Sequence, residues 1–409
     1  MLLQIASKSL WHRKGSVMLT IFAVTVSIMV MLATEHIRQQ AKTNFANSVS
    51  GVDLIVGTRT GSLNLLLYSV FRMGAPTNNI SWQAYQNVSQ HNAVKWAVPI
   101  SLGDSHKGYR VLGTTTDYFT YFSFGQQQQL SFKAGRAFNG VFELVLGSEV
   151  AKRLAYQLGD KLILSHGIGS TSFTQHKQLP FQVVGILAPT GTPVDRSLHV
   201  SLQGLSAVHL ARPLNSGQQP ASQVSMAAPE LQPTSVTAVM LGLTSKMRVF
   251  QLQRQINTDN NEPLMAILPG VALQELWQTM SVVEKALRLI SALVVISALL
   301  GLSAMLLSSI NERRQEITLL RMIGASPLFI YWFIELEAML IVIVSALLAT
   351  GLLSTGLISA QHYLLNHYGL AITPNVFSQA NVITLLLIAV LAFIAAIPPA
   401  LSAFRNAKQ

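Results

Sequence analysis

Cysteine is absent from this 409-residue chain, so no disulfide can brace it and every folded part must hold by packing alone. Charge is scarce too. Asp, Glu, Lys and Arg make up 11% of the residues, 50% are hydrophobic, and the mean hydropathy is +0.42. With the apolar residues gathered into runs, that balance excludes an ordinary water-soluble protein and points to a membrane protein. No G-x-x-x-x-G-K-[ST] loop occurs, so ATP must be hydrolysed elsewhere if it is used at all. No G-x-S-x-G frames Ser148, which excludes a nucleophile elbow there. Six histidines lie between residues 37 and 283: His91, His106, His166, His176, His199 and His209. None has the i, i+4 or H-E-x-x-H spacing of a metal site, so scattered histidines, no metal and no catalytic residue are expected. A dense basic cluster is also missing. Residues 37–283 hold 18 Lys and Arg against 11 Asp and Glu, +7 of the net +11. Nucleic acid is therefore excluded in favour of an anionic lipid surface or an acidic partner.

What is present is four long apolar runs, at 16–36, 284–310, 327–358 and 379–402. About 20 apolar residues suffice to cross a bilayer core as a helix. Between the second and third runs lies the charged segment 311–326, with Asn311, Glu312, Arg313, Arg314, Glu316 and Arg321. Ile317, Leu320 and Ile323 recur at three-residue spacing, Leu319 widens the stripe, and Gly324 is placed to end a helix. A loop that only fixes orientation needs no apolar face, whereas a docking helix does. Glu335 and Glu337 fall early in the third run, where a charge costs about 2.5–3.5 kcal/mol on insertion scales. Either one of them has a partner or both stay wet near the interface. Residues 1–15 set Lys8, Arg13 and Lys14 beside Leu2, Leu3, Ile5, Leu10 and Trp11, the pattern of an amphipathic helix on the membrane surface. A cleaved signal peptide is the alternative, but its apolar core would be shorter. Basic residues flank the first run, the 311–326 segment and the tail 403–409, while 359–378 has none. The positive-inside rule puts both termini and 311–326 in the cytoplasm and 37–283 outside.

Within 37–283, strands are expected at 52–56, 94–102, 109–113, 143–146, 161–164, 181–187, 236–243 and 264–267, with helices at 82–90, 148–158 and 246–256. Residues 213–233, rich in Pro, Ser and Gln, read as a linker. The unit 236–267 repeats the outline of 78–102, so these two pieces are expected to form one subdomain with 103–215 inserted. Residues 271–288 are expected to run as a helix straight into the second span.

The phrases Asn311-Glu-Arg-Arg-Gln-Glu-Ile and Leu320-Arg-Met-Ile-Gly-Ala-Ser resemble the E-R-x-x-E-I and R-x-x-G-A coupling segment of MacB/FtsX-like (type VII) permease subunits of ABC transporters. Gly113-Thr-Thr-Thr-Asp-Tyr-Phe, Ala134-Gly-Arg-Ala-Phe, Val145-Leu-Gly-Ser-Glu-Val-Ala-Lys-Arg-Leu, Leu158-Gly-Asp-Lys and Phe181-Gln-Val-Val-Gly-Ile-Leu resemble its outer-domain phrases. The resemblance covers essentially the whole chain. It implies an α-helical membrane protein of the bacterial inner membrane, with four transmembrane helices and a large α+β periplasmic domain between the first two. That domain would be a porter-like subdomain (37–102 and 216–270) carrying an inserted strand-rich one (103–215). It further implies a non-catalytic subunit that works with a cytoplasmic ABC ATPase dimer holding ATP and Mg, and with a second permease subunit, identical or homologous. A periplasmic adaptor or substrate-binding protein could join them. The implied activity is mechanotransmission acting on lipoproteins, peptides or small hydrophobic compounds. An FtsX-like regulator of a periplasmic enzyme, or a membrane-anchored sensor without an ATPase, are the alternatives. Gly51-Val-Asp-Leu-Ile-Val-Gly-Thr-Arg-Thr-Gly-Ser and Gly74-Ala-Pro-Thr-Asn-Asn-Ile depart from the family's phrases and look like a subfamily signature.

Overall fold

The computed structural model describes residues 10–11, 13–166, 179–210, 231–312, 319, 321–322, 324–368 and 373–406. Lys8 lies outside these residues, as does nearly all of the expected 213–233 linker. The chain divides into two compact units. One comprises 1–41, 280–363 and 372–409; the other comprises 42–279 and 364–371.

Four helices are long and apolar enough to cross a membrane: Lys14–Asn47, Pro269–Glu312, Pro327–Tyr368 and Gln379–Asn406. Of their most apolar windows only 22–39% is buried. Leu19, Phe22, Leu293, Leu300, Leu347 and Leu386 are among the large side chains left outside, an arrangement suited to lipid rather than water. The inward seam is heptad-like on the second helix, through Val295, Leu299, Leu302 and Leu306. It meets Val24, Ile28 and Leu32 of the first helix and the small Ala338, Ala349, Ala392 and Ala396 of the third and fourth. Small residues let helix backbones approach closely where lipid supplies no hydrophobic drive.

The helices overrun their expected ends. The first continues past residue 36 to Asn47, because nothing between Ile37 and Asn47 is Gly or Pro. The third continues past 358 to Tyr368, which shortens the loop expected over 359–378. The fourth, expected over 379–402, runs through Pro398 and Pro399 to Asn406. Ala396, Ala400 and Ala403 are fully buried around that point, and packing of this kind lets a membrane helix tolerate missing backbone donors.

The other unit is built on an eleven-stranded mixed sheet. Its main path runs Leu264–Ile267, Leu54–Thr58, Ala238–Leu243, Val94–His106, Tyr109–Thr114, Ser197–Ser201, Glu143–Leu146, Phe181–Leu187 and Phe132–Gly135. The two parallel pairings on that path are Ser197–Ser201 with Tyr109–Thr114, and Phe181–Leu187 with Glu143–Leu146. Val94–His106 pairs with Ala238–Leu243 through its first half and with Tyr109–Thr114 through its second. A division at 102/103 therefore falls inside one thirteen-residue strand. On the first half, Trp82–Ser89 is capped by the Ser81 hydroxyl, which accepts from the Ala84 amide at 3.1 Å. Val249–Asn257 packs Val249, Leu252 and Ile256 into the core, the 3.6-residue period of an amphipathic helix. The helix expected over 148–158 stops at Arg153, ahead of Ala155 in the left-handed region (φ 54°).

Two of the phrases quoted above contain glycines that the packing requires. Gly135 and Gly185 are register partners, and a Cβ on either would strike backbone, the Val184 carbonyl in one case and the Arg136 carbonyl in the other.

Candidate functional site

The helical unit gathers its polar side chains at its two ends. At one end, Arg13 donates from Nη2 to Glu337 Oε2 at 3.5 Å, with side-chain exposures of 17% and 0%. Arg13 stands one residue before the first long helix and Glu337 three turns into the third, so the pair ties the basic N-terminal stretch to the third helix. Glu335 is also buried, at 1% exposure, with the Tyr331 hydroxyl beside its carboxylate and no ion-pair partner among the described residues. Two buried acids against one paired arginine is an expensive arrangement in a low dielectric. Trp11 is 78% exposed, and Lys14 is exposed.

The charged connection opens at the same end. Asn311 and Glu312 close the second long helix, and Glu312 is exposed. Arg313, Arg314, Glu316, Ile317, Leu320 and Ile323 lie outside the described residues. Leu319, Arg321 and Met322 are exposed. Gly324 has φ 101°, and its amide donates to the Arg321 carbonyl at 2.9 Å, a left-handed stop of the kind glycine favours. Ser326 then caps the third helix, its hydroxyl accepting from the Phe329 amide at 3.2 Å, with Pro327 at the first helical position. Between the first and second helices runs a groove of about 840 Å³ whose lining includes Arg13, Ser16, Thr20, Ser297, Gly301 and Glu312.

At the opposite end, Glu35, Arg38, Glu284 and Arg288 form an ion network between the first and second helices. Arg38 donates to Glu35 at 3.2 Å and to Glu284 at 3.4 Å, and Arg288 reaches Glu35 at 3.3 Å. The His36 ring meets the Thr373 carbonyl at 3.0 Å. Sequence reasoning passed over this network. Its local signal is the Glu35–Arg38 pair directly after one apolar run and Glu284–Arg288 directly before the next.

In the sheet unit the described histidines have separate structural duties. His106 contacts the Ile163 carbonyl at 2.7 Å and the Tyr156 hydroxyl at 3.0 Å, and burial lowers its pKa. His199, fully buried beside Tyr118 and Phe119, is pushed down to about 3 by burial. His209 is raised by its contact with Asp104 at 3.5 Å. No group of three or more His, Asp or Glu able to hold a metal ion occurs among the described residues.

The family of the MacB-like periplasmic core domain matches residues 16–258, and the family of the FtsX-like permease C-terminal region matches residues 288–407. Among solved structures, the periplasmic region of MacB from Actinobacillus actinomycetemcomitans is 10% identical with a TM-score of 0.35, covering 56% of this chain and 94% of that one. The extracellular domain of the noncanonic ABC-type transporter YknZ from Gram-positive bacteria is 12% identical with a TM-score of 0.32, covering 53% of this chain and 99% of that one. No curated protein matches the chain.

Proposed function

This chain belongs to the MacB-like periplasmic core domain family, with an FtsX-like permease region after it, and from that premise we propose a mechanotransmitting role for this ABC transporter permease. ATP and Mg are held by a separate cytoplasmic ATPase dimer. Segment 311–326 receives the ATPase's movement, and the long helices pass it to the domain between the first and second of them. In this reading the chain sits in the bacterial inner membrane with both termini and 311–326 in the cytoplasm and residues 48–268 in the periplasm. Cargo is periplasmic or membrane-associated, in the class of lipoproteins, peptides or small hydrophobic compounds, and an adaptor or substrate-binding protein could present it.

One observation carries the reading. The Arg13–Glu337 pair, Glu312 and the Ser326 cap share one end of the helical unit. A push on the 311–326 connection therefore reaches the first, second and third helices together. The same end opens the serine- and glycine-lined groove between the first two helices, which suits close packing against a second permease subunit, identical or homologous. Arg313 and Arg314 supply the charge that would meet the ATPase, and Ile317 and Leu320 the apolar face.

The test is charge reversal. An R313E/R314E double variant, co-expressed with its partner ATPase, is expected to insert normally and to lose stimulation of ATP hydrolysis at least tenfold. Full stimulation by the variant, or the absence of any co-purifying nucleotide-binding subunit, counts against the coupling role.

A further inference from the structure

The sheet unit contains a second feature that the coupling role does not use. A cleft of about 440 Å³ opens beside the last turn of the first long helix, and its lining includes Phe45, Phe71, Arg72, Tyr109, Arg110 and Arg196. None of its lining residues is acidic. Arg72 is only 8% exposed. Its guanidinium donates to the Ser69 carbonyl and, at 3.3 Å, to the Tyr118 hydroxyl, and no carboxylate pairs with it among the described residues. Burying a cation without a counter-charge is among the costliest arrangements in a folded domain. Here the chain also holds Arg72 at φ 58°, a conformation that non-glycine residues avoid unless their surroundings impose it.

Arg110, half-buried, donates to the Gly74 carbonyl and has no carboxylate partner either. Arg196 stands on the rim with Glu149 at 3.6 Å. Glu149 is itself buried, as is Asp195, whose carboxylate is occupied by its own loop. It accepts from the amides of Thr190 (2.9 Å) and Gly191 (2.7 Å) and from the Thr190 hydroxyl (3.0 Å). The opposite wall is apolar, with the Phe45 and Phe71 rings 4.7 Å apart. Arg110 also lines a neighbouring cavity of about 400 Å³ whose wall is Ala75 to Asn79. The departure from family phrases at Gly74–Ile80 thus lines, through Ala75 to Asn79, a cavity that shares Arg110 with the cleft.

We propose that this cleft binds a small amphiphile carrying one terminal oxyanion, with Arg72 and Arg110 holding the oxyanion and Phe45, Phe71 and Tyr109 covering the apolar body. The volume falls in the range of small-molecule sites, which characteristically combine apolar walls with a few convergent polar groups. Guanidinium groups match carboxylate and phosphate oxygens in geometry as well as charge. The ligand supplies the counter-charge that Arg72 lacks in the protein. The site stands independently of the coupling role, and the two can fail separately.

The experiment uses the full chain in zwitterionic lipid nanodiscs, titrated calorimetrically with octanoate, octyl phosphate and octanol against empty discs. At least one of the two anions is expected to saturate a single site. Octanoate or octyl phosphate as the tighter ligand distinguishes a carboxylate source from a phosphate source. Octanol is expected to bind at least about tenfold more weakly, as loss of a charge-assisted hydrogen bond implies. Arg72→Met should lower anion affinity by about tenfold to a hundredfold and Arg110→Gln by about tenfold, with octanol unaffected by either. Arg110 is half exposed, so its variant decides the matter should Arg72→Met fail to fold. Equal binding of octanol and the anions, undiminished affinity in a folded Arg110→Gln protein, or no saturable heat with either anion overturns the proposal.

Discussion

The two units handle buried charge in opposite ways. In the helical unit, Glu337 is fully buried and meets a full opposite charge, Arg13, at 3.5 Å. In the sheet unit, Arg72 is nearly as buried and meets only a carbonyl and a phenol, while His199 stays neutral. The cores differ to match. The sheet unit buries Tyr68, Tyr118, Phe138 and Phe181, gaining stability from removing large apolar surfaces from water. The helical unit buries alanines and branched aliphatics along narrow seams and gains from close backbone approach. A domain with a large hydrophobic surplus can carry an uncompensated cation for use by a ligand. In the bundle, Glu337 is neutralised by Arg13, whereas Glu335 has only the Tyr331 hydroxyl beside it among the described residues.

The sharpest way to break this comparison is to remove the bundle's compensation. Glu337→Ala removes the buried acid that Arg13 meets at 3.5 Å and is expected to destabilise the full chain by about 3 kcal/mol. That is the low end of the range for breaking a buried pair, since Arg13 keeps 17% of its side-chain surface. Thermal melting in detergent measures it, and the R13A/E337A double variant should recover part of the loss because the pair is then removed whole. A Glu337→Ala protein that melts with the parent would show that the pair compensates nothing.

A smaller effect tests the sheet unit's solution. His199 has a folded pKa of about 3 against an ordinary value of 6.5. The unfolded chain therefore binds the proton more readily than the folded one, and stability falls as pH drops below 6.5. The loss is about 2 kcal/mol by pH 5. His209 works in the other direction. Its folded pKa is raised by Asp104, so its contribution is complete below 6.5 and disappears as pH rises through the folded value. His199→Gln is thus expected to flatten the decline of melting temperature between pH 6.5 and 5, and His209→Gln to remove the loss that accompanies a rise in pH above 6.5. An unchanged acid decline in His199→Gln would mean that the proton is taken up elsewhere.

Much of the architecture was legible because it is local. Four apolar runs give four long helices, and the alternating runs at 143–146 and 181–187 give strands with those same limits. Gly324 could be read as a stop because a left-handed C-terminus favours glycine on steric grounds alone. The unread parts depend on distance along the chain. Arg38 and Glu284 are 246 residues apart, so no window of sequence displays that pair. Arg72 follows the apolar stretch Leu65–Phe71 and reads as the polar end of a helix. Only the fold brings Tyr118 over it and closes it from water. The passage of the fourth helix through Pro398 and Pro399 depends on distance too, since Ala400 and Ala403 pack with residues of the second and third helices.

The mildest test concerns a charge that neither unit has to bury. Arg136 and Glu143 form a two-pronged pair at 2.8 and 2.7 Å, and Glu143 also accepts from the amides of Asn139 (2.6 Å) and Gly140 (3.1 Å). These contacts, the Arg136 hydrogen bond foremost, hold the Glu143 carboxyl down at about 2 from an ordinary 4.5. A depressed carboxylate contributes stability that is full above 4.5 and is lost as pH falls toward 2. Arg136 is 57% exposed, so solvent screening reduces the pair's worth to under about 1 kcal/mol. Arg136→Gln should therefore shift the melting temperature at pH 7 by only a few degrees, and by less in high salt. Glu143→Gln should cost more, because the two backbone amides lose a charged acceptor. If Arg136→Gln proved as damaging as Glu337→Ala, the contrast between a solvated pair and a buried one would fail at its simplest point.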